Sequence, residues 1–167
     1  MTDIRKVGIE SIAIIGSLAH LTWQTAYKDI LSPEQMNYML ELIYSPAALT
    51  QQITVKGHQF VLIFHEEKPV GFASYSPREG DADLVYRLHK IYLDPSLKGK
   101  GLGLTLINYV INEVRSAGAQ QLELNVNRDN VTQTFYKKLG FIILREEDID
   151  IGNGYFMNDY VMSLPLR

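Results

Sequence analysis

Residues 84–118 constrain the fold more than any other part of the chain. Residues 84–93 are rich in β-branched, aromatic and leucine side chains, which predicts a strand, and the Asp-Pro pair at 94–95 ends it with a turn. The glycine-rich loop KGKGLG at 98–103 follows, and it leads into a run with the apolar spacing of a half-buried helix. A helix N-terminus presents unpaired backbone N–H groups, and glycines let an anion approach them closely. The loop therefore predicts a cradle for a phosphate or pyrophosphate group.

Two common nucleotide-binding glycine loops do not fit this stretch. A P-loop needs four residues between its glycines and then Gly-Lys-Ser or Gly-Lys-Thr, which the loop lacks. A dinucleotide-binding loop, Gly-x-Gly-x-x-Gly, opens a helix directly from a strand. Here the glycines alternate with other residues and lie some positions beyond the predicted strand. A plain turn before a helix would also explain them, so the downstream sequence has to decide.

The stretch resembles the Gln/Arg-x-x-Gly-x-Gly/Ala signature of the GCN5-related N-acetyltransferases, the GNAT family. Lys98, Gly101 and Gly103 occupy the signature positions, and Lys98 replaces the usual Gln or Arg. The segments LELNVNRDN at 122–130 and FYKKLGF at 135–141 resemble the second signature of the family. That signature is a strand, an Asn-bearing loop and a helix that carries Tyr and ends in Gly-Phe. Two signatures in the right order, separated by one helix, make the resemblance specific.

Length and composition exclude several classes of protein. The chain has 167 residues, which predicts one domain over residues 1–167. A net charge of −3 gives no general affinity for nucleic acid. The sequence has no cysteine, which excludes disulfides, thiolate metal sites and a cysteine acyl-enzyme, and we expect no metal. Without an apolar signal core or an apolar run of 18 residues, we expect a soluble, cytoplasmic protein with no membrane partner.

Periodicity and turn signals predict strands and helices in the order βααβββαβαββ. Strands are predicted at residues 4–9, 59–65, 70–76, 84–93, 121–127, 141–145 and 155–164. Helices are predicted from residue 11, from a capping box at Ser32, up to residue 117 after the glycine loop, and at 130–138, with a short helical piece after Ser45 and a loop at 77–83. This pattern predicts an α/β (α+β) fold with a mixed, mostly antiparallel sheet and helices packed on it, which is also what the GNAT resemblance implies.

The resemblance implies direct acetyl transfer from acetyl-CoA to an amine, without a covalent enzyme intermediate. In the family the acetyl-pantetheine arm lies like an extra strand against the end of the central strand, where a backbone N–H polarises the thioester carbonyl. The implied cofactor-binding residues are Ile91, Tyr92, Leu93, Lys98, Gly99, Lys100, Gly101, Leu102, Gly103, Leu104, Asn127, Asn130, Tyr136 and Lys138. Core packing would equally explain the side chains of Ile91 and Tyr92. A local turn or helix cap would explain the two asparagines, and solvation would explain Lys138.

The resemblance also implies catalytic residues. An alkylammonium with a pKa near 10.4 must lose a proton, which costs roughly 4–5 kcal/mol at neutral pH, and the departing thiolate needs a proton donor. Tyr136 occupies the position of the general acid, although an aromatic helix residue that packs on the sheet would look the same. Arg87 stands where several family members carry a glutamate base, and arginine stays protonated. His89 is the expected base, with Glu123 or a chain of waters as alternatives.

Aromatic and acidic residues are expected to bind the acceptor amine. Trp23 and Tyr27 are spaced one helical turn apart, and Tyr155 and Asp159 lie in and near the last predicted strand. Aromatic faces and a carboxylate suit a cationic amine, although core packing would also explain Trp23. The Trp-x-x-x-Tyr pattern, together with Ile-Tyr-Leu before the glycine loop, is similar to the spermidine/spermine acetyltransferase branch.

We therefore expect an N-acetyltransferase that modifies the primary amine of a small molecule such as a polyamine. Acetylation of a protein or peptide N-terminus is the alternative within the same class. A coenzyme A-binding sensor without turnover is the alternative from another class. Loss of the central-strand glutamate keeps the sensor open, whereas Tyr136 argues against it. The sequence leaves a homodimer open.

Overall fold

Seven strands form one mixed sheet in the computed structural model, which describes residues 1–80 and 84–166. The strands are β1 (Thr2–Val7), β2 (Gln59–His65), β3 (Lys68–Pro77), β4 (Val85–Leu93), β5 (Gln121–Asn127), β6 (Ile142–Gly152) and β7 (Tyr155–Pro165). Their spatial order is β1-β2-β3-β4-β5-β7-β6, and neighbouring strands are antiparallel except β4 and β5. The predicted fold class is confirmed.

Five α-helices in the described part of the chain cover the sheet. They are α1 (Ile12–Ala26), α2 (Pro33–Tyr44), α3 (Pro46–Thr54), α4 (Leu102–Ser116) and α5 (Gln133–Lys138). The predicted start of α2 at Ser32 is confirmed, because the Ser32 hydroxyl accepts a hydrogen bond from the backbone N–H of Gln35. Ser45 caps α3 in the same way. In both helices a proline follows the cap, where its missing N–H has no partner to lose.

The helices enclose one hydrophobic core on each face of the sheet. α4 fills the first core with a buried stripe that includes Leu106, Val110 and Val114. The helices α1–α3 fill the second core with side chains that include Ile15 and Leu40. The strands supply alternate residues to the two cores, because successive side chains of a strand point to opposite faces.

Several predicted boundaries differ from the structure by one or two residues, such as the first strand, which is Thr2–Val7 and not 4–9, and two differ by three or more. The helix predicted from residue 130 begins at Gln133, because the Asn130 carboxamide oxygen accepts hydrogen bonds from the backbone N–H and hydroxyl of Thr132 and holds a turn there. The strand predicted to end at residue 145 continues to Gly152 as the edge strand β6. Charged side chains are common on such edges, so the acidic run is compatible with a strand. The predicted loop at 77–83 lies partly outside the described residues, at 81–83.

The sheet opens between its two parallel strands. β4 and β5 pair only where Val85–Leu88 lie beside Gln121–Leu124. Beyond these pairs β4 continues along β3, and β5 continues along β7. The facing edges of β4 and β5 therefore separate, and the second half of each strand borders an opening.

A β-bulge in β4 lies beside this opening. Leu88 pairs with Tyr75 and Lys90 pairs with Ser74, so His89 is an extra residue between the two pairs. Sequence periodicity does not predict the bulge, since a single inserted residue leaves the apolar pattern of the strand recognisable.

Candidate active site

A cavity of about 500 Å³ occupies the opening between β4 and β5, and we call it the large cavity. Its walls include most of the expected cofactor-binding residues: Ile91, Tyr92, Leu93, Lys98, Gly99, Gly101, Leu102, Gly103, Leu104, Asn130 and Tyr136. Lys100 and Lys138 are exposed and are not among its wall residues. The structure thus brings the end of β4, the glycine loop and α5 to one place.

The glycine loop forms an anion cradle at one end of the large cavity. Gly101 precedes α4 with a φ of 76°, in the left-handed region that favours glycine, and no side chain caps the helix. The first N–H groups of α4 are therefore available to a ligand. A Cβ on Gly103 would lie 3.3 Å from Leu93 Cδ1, so the helix start packs closely on β4. These features fit the pyrophosphate of a coenzyme A derivative.

The end of β4 directs backbone donors into the large cavity. The N–H of Asp94 donates to the carbonyl of Val70 in β3, and hydrogen-bonded pairs alternate along an antiparallel ladder. The N–H groups of Ile91 and Leu93 therefore point away from β3, toward the opening. This is the position expected for a donor to a thioester carbonyl.

Tyr136 combines a packed ring with a position at the cavity. Its ring centroid lies 5.5 Å from that of Phe135 and 5.6 Å from that of Phe141, and the residue is 8% exposed. Tyr136 also lines the large cavity. Burial raises the pKa of its phenol, so the hydroxyl keeps its proton at neutral pH. The two interpretations made from the sequence, packing and proton donor, are compatible in this arrangement.

A second cavity of about 220 Å³ adjoins the first, and we call it the small cavity. Both cavities are bordered by Tyr27, His89, Lys90, Tyr92 and Asn125. The expected acceptor residues Trp23 and Asp159 and the expected cofactor residue Asn127 also line the small cavity. The expected acceptor residue Tyr155 lines neither cavity and packs on Tyr38, with ring centroids 5.4 Å apart.

Asp159 places a buried carboxylate in the wall of the small cavity. The residue is 2% exposed, and Asn125 Nδ2 donates a hydrogen bond of 3.2 Å to its carboxylate. Burial raises the pKa of Asp159, the hydrogen bond from Asn125 opposes this, and the nearby Glu147 raises it further. A buried carboxylate with these neighbours gains from a cationic ligand, because opposite charge stabilises its ionised form.

Glu123 holds two arginines and faces neither cavity. It is 2% exposed, and one carboxylate oxygen accepts hydrogen bonds from Arg78 at 2.8 Å and from Arg87 at 3.1 Å. Arg87 also donates to the side-chain oxygen of Asn125. Asn125, which sequence reasoning missed, thereby links Arg87 to Asp159. Its alternation with Glu123 and Asn127 along β5 is the signal that could have revealed it.

His89 lies at the junction of the two cavities but in surroundings that disfavour its charged form. Its Nε2 shares a hydrogen bond of 2.7 Å with the Ser76 hydroxyl, and its ring stacks on His58 with centroids 3.8 Å apart. Burial lowers the pKa of His89 to about 2, and the positive potential of His58 and Lys90 adds to this. The expected titration near pH 6.5 would therefore not arise from His89, which stays neutral at every physiological pH.

Lys90 is a second residue that sequence reasoning missed. It is 8% exposed, and its Nζ lies 5.5 Å from the ring centroid of Phe60 and 5.7 Å from that of Tyr44. Burial lowers the pKa of the Lys90 ammonium to about 8, and the charge of Lys56 contributes. A lysine between His89 and the apolar end of the strand, Ile91–Leu93, was the available signal.

Comparison with known proteins decides the family. The model of the acetyltransferase (GNAT) domain matches residues 27–164. The chain belongs to the GNAT family. It is an N-acetyltransferase, as the two signatures indicated, and the predicted family is confirmed. Across residues 1–80 and 84–166, no cluster of three or more metal-ligating side chains is present, and no helix is long and apolar enough to cross a membrane.

Several GNAT relatives resemble the chain over nearly its full length. The spermidine N(1)-acetyltransferase of Thermoplasma acidophilum is 28% identical over 160 residues, covering 93% of this chain and 94% of the relative. The crystal structure of the PaiA N-acetyltransferase of Thermoplasma acidophilum in complex with coenzyme A has a TM-score of 0.82 at 25% identity and 99% coverage of both chains. The ribosomal-protein-S18-alanine N-acetyltransferase of Escherichia coli shares the fold, with a TM-score of 0.74 at 18% identity, over 99% of this chain and 94% of the other.

Proposed function

We propose that this GNAT enzyme transfers the acetyl group of acetyl-CoA directly to the primary amine of a small molecule, with polyamines as the leading acceptor class. One observation carries the proposal: an anion cradle and a buried carboxylate lie at two cavities that share a wall at the opening of the sheet. The cradle suits a pyrophosphate, the carboxylate suits an ammonium group, and the shared wall is where donor and acceptor would meet.

On the donor side, different groups of the large cavity act on different parts of acetyl-CoA. The backbone N–H groups at the start of α4 hold the pyrophosphate, and Lys98 adds positive charge beside them. The N–H groups of Ile91 and Leu93 bind the arm and polarise the thioester carbonyl. Tyr136 keeps its proton at neutral pH and gives it to the departing sulfur. Acetyl-CoA supplies the activated acetyl group.

On the acceptor side, Asp159 pairs with the ammonium group and orients it. Trp23 and Tyr27 offer aromatic surface to the same cation, with ring centroids 4.5 Å apart. The volume of about 220 Å³ favours a small molecule over a folded peptide segment. The name of the spermidine-acetylating relative supports a polyamine, and its similarity covers most of both chains.

N-terminal acetylation is the second candidate, because the Escherichia coli enzyme that acetylates an alanine of ribosomal protein S18 has the same fold. Its identity of 18% carries no more than the fold. The proposal includes a cytoplasmic location and leaves a homodimer open.

A thiol-release assay with a panel of acceptors tests the proposal. The purified chain is incubated with acetyl-CoA and putrescine, spermidine or spermine, with a peptide that has a free N-terminus, or with no acceptor. We expect fast thiol release with at least one of the small amines. Release with the peptide alone would favour N-terminal acetylation. Tight coenzyme A binding without release for any acceptor would favour the sensor and contradict the proposal.

A further inference from the structure

The junction of the two cavities limits which side chain can take a proton from the acceptor. The reacting nitrogen must lie where it reaches both the thioester in the large cavity and the anchor in the small one. The residues that border both cavities are Tyr27, His89, Lys90, Tyr92 and Asn125. Asn125 has no titratable group, which leaves two tyrosines, a histidine and a lysine.

The two tyrosines and the histidine are poor proton acceptors. The hydroxyl groups of Tyr27 and Tyr92 share a hydrogen bond of 2.8 Å. Burial raises the pKa of both phenols, so both remain protonated. His89 is hydrogen-bonded to Ser76 and stacked on His58, and its pKa of about 2 means that its conjugate acid cannot persist near neutral pH.

Lys90 differs from these groups in its surroundings. No hydrogen bond or ion pair engages the side chain of Lys90 within residues 1–80 and 84–166, and its ammonium lies over the aromatic rings of Phe60 and Tyr44. The titratable groups around it are Lys56, which follows α3, His58, His89 and Tyr44. Asp159 also lines the small cavity, but no ion pair joins its carboxylate to Lys90. Burial without a carboxylate partner disfavours the charged form of an amine, so its ammonium loses a proton more readily than that of an exposed lysine.

We propose that Lys90 is the proton acceptor for the amine substrate, an inference that rests on the proposed function. Lys90 borders both cavities, whereas Asp159 borders only the small one, so Asp159 anchors the acceptor and Lys90 faces its reacting nitrogen. This role replaces the one that the sequence suggested for His89. His89 is the extra residue of the bulge in β4, and Lys90 follows it directly.

The proton balance of the reaction is as follows. Neutral Lys90 takes one proton from the bound ammonium and passes it to water. The free amine forms a C–N bond with the thioester carbonyl carbon, the C–S bond breaks, and the sulfur leaves with a proton from Tyr136. The surplus proton on the nitrogen restores Tyr136 through solvent. An ammonium and a thioester thus give an amide, a thiol and one free proton, with no oxidation or reduction.

Two acceptors of different basicity test this role. Lys90→Met removes the amine, and Lys90→Arg keeps a positive charge that cannot be lost. With a strongly basic amine at pH 7, we expect both variants to lose kcat/KM on the order of 10²-fold. With a weakly basic amine that is already neutral at pH 7, both should stay within a few-fold of wild type. Lys28→Met, which changes an exposed lysine on the surface, is the control.

The pH profile gives a second readout. Wild type should show a rising limb with a midpoint near pH 8 for the strongly basic amine, at the pKa of Lys90. The two variants should lack that limb and recover as pH approaches the pKa of the amine. Equal losses with both amines, or unchanged activity, would overturn the role of Lys90. The wild-type limb alone tests the inference if the variants do not fold. Absence of transfer to any amine by wild type would instead overturn the proposed function.

Discussion

Gly101 serves both the backbone geometry and the ligand site. Its φ of 76° strains any other residue, and a side chain there would extend into open space beside the start of α4. We predict that Gly101→Asp lowers acetyl-CoA affinity by about tenfold or more, equal to about 1.4 kcal/mol, because a carboxylate repels the pyrophosphate. Calorimetric titration measures the change. Gly118→Asp is the matched control, since Gly118 has a φ of 96° and equally open surroundings at the other end of α4. Equal affinity in a folded Gly101→Asp variant would contradict the cradle.

The role of the Tyr136 hydroxyl can be tested by a substitution that removes only its oxygen atom. We predict that Tyr136→Phe lowers kcat on the order of 10²-fold, while acetyl-CoA affinity stays near that of wild type because the packed ring is retained. Single-turnover kinetics and calorimetry separate the two effects. Tyr109→Phe removes a hydroxyl from a half-buried tyrosine of α4 that lines neither cavity, and it should leave kcat unchanged. A kcat for Tyr136→Phe within a few-fold of wild type would make Tyr136 a packing residue.

Lys90 lowers stability at neutral pH. Its pKa falls from 10.5 in the unfolded chain to about 8 in the folded protein. The unfolded state therefore binds more protons between pH 8 and 10.5, so stability rises with pH across that window. We predict that Lys90→Met raises the free energy of unfolding at pH 7 by up to about 3 kcal/mol, and that this gain shrinks to nothing near pH 10.5. Urea denaturation at both pH values measures it. A gain that does not change with pH would reflect packing alone.

At the scale of single elements, the sequence predicted helices best where they carry a clear apolar stripe or a clear capping motif. The apolar stripe of α4 and the serine-proline starts of α2 and α3 are local signals, and the structure has all three elements. The extension of β6 was missed, because acidic residues on an edge strand carry no strong strand signal. The bulge at His89 was also missed. It depends on how β3 and β4 pair, which local sequence does not encode.

The stacked pair of His58 and His89 joins the segment before β2 to the bulge of β4, and acid should weaken this link. Burial is the main cause that lowers their pKa values, to about 4 and about 2, from 6.5 in the unfolded chain. The unfolded state therefore binds more protons below pH 6.5, and stability falls as pH falls through that range. We predict that the His58→Gln/His89→Gln double variant loses less stability between pH 7 and pH 4.5 than wild type. Urea denaturation at both pH values provides the measurement, and an equal loss would contradict it.

At the scale of the molecule, the site depends on strands that are far apart in sequence. The glycine loop and Tyr136 lie in short, recognisable motifs, and the structure places both at the large cavity. The small cavity combines α1, α2, β4, β5 and β7, and its polar network runs from Arg87 through Asn125 to Asp159. Those contacts depend on register between β5 and β7. Trp23 and Asp159 were expected from residue type and line the small cavity, whereas the position of Asn125 and Lys90 between the two cavities becomes visible in the assembled sheet.

Because β4 and β5 pair over only four residues each, the acetyl donor would occupy the gap that the sheet leaves between them. The strand pairing that joins the two halves of the sheet along this seam runs from Val85–Leu88 to Gln121–Leu124 and stops there, and Ile91 and Leu93 direct N–H groups into the seam beyond it. A bound acetyl-CoA would cover those amides, and we predict that they exchange with deuterium rapidly in the free protein and slowly in the complex.

Binding of acetyl-CoA in this seam would also make the stability of the folded chain depend on the concentration of acetyl-CoA. At a free concentration one hundred times its dissociation constant, a ligand of the folded state adds about 2.7 kcal/mol of stability. A chain stabilised in this way resists unfolding and proteolysis when the acetyl donor is plentiful and becomes vulnerable when it is scarce. The amount of enzyme in a cell would then follow the supply of its own donor.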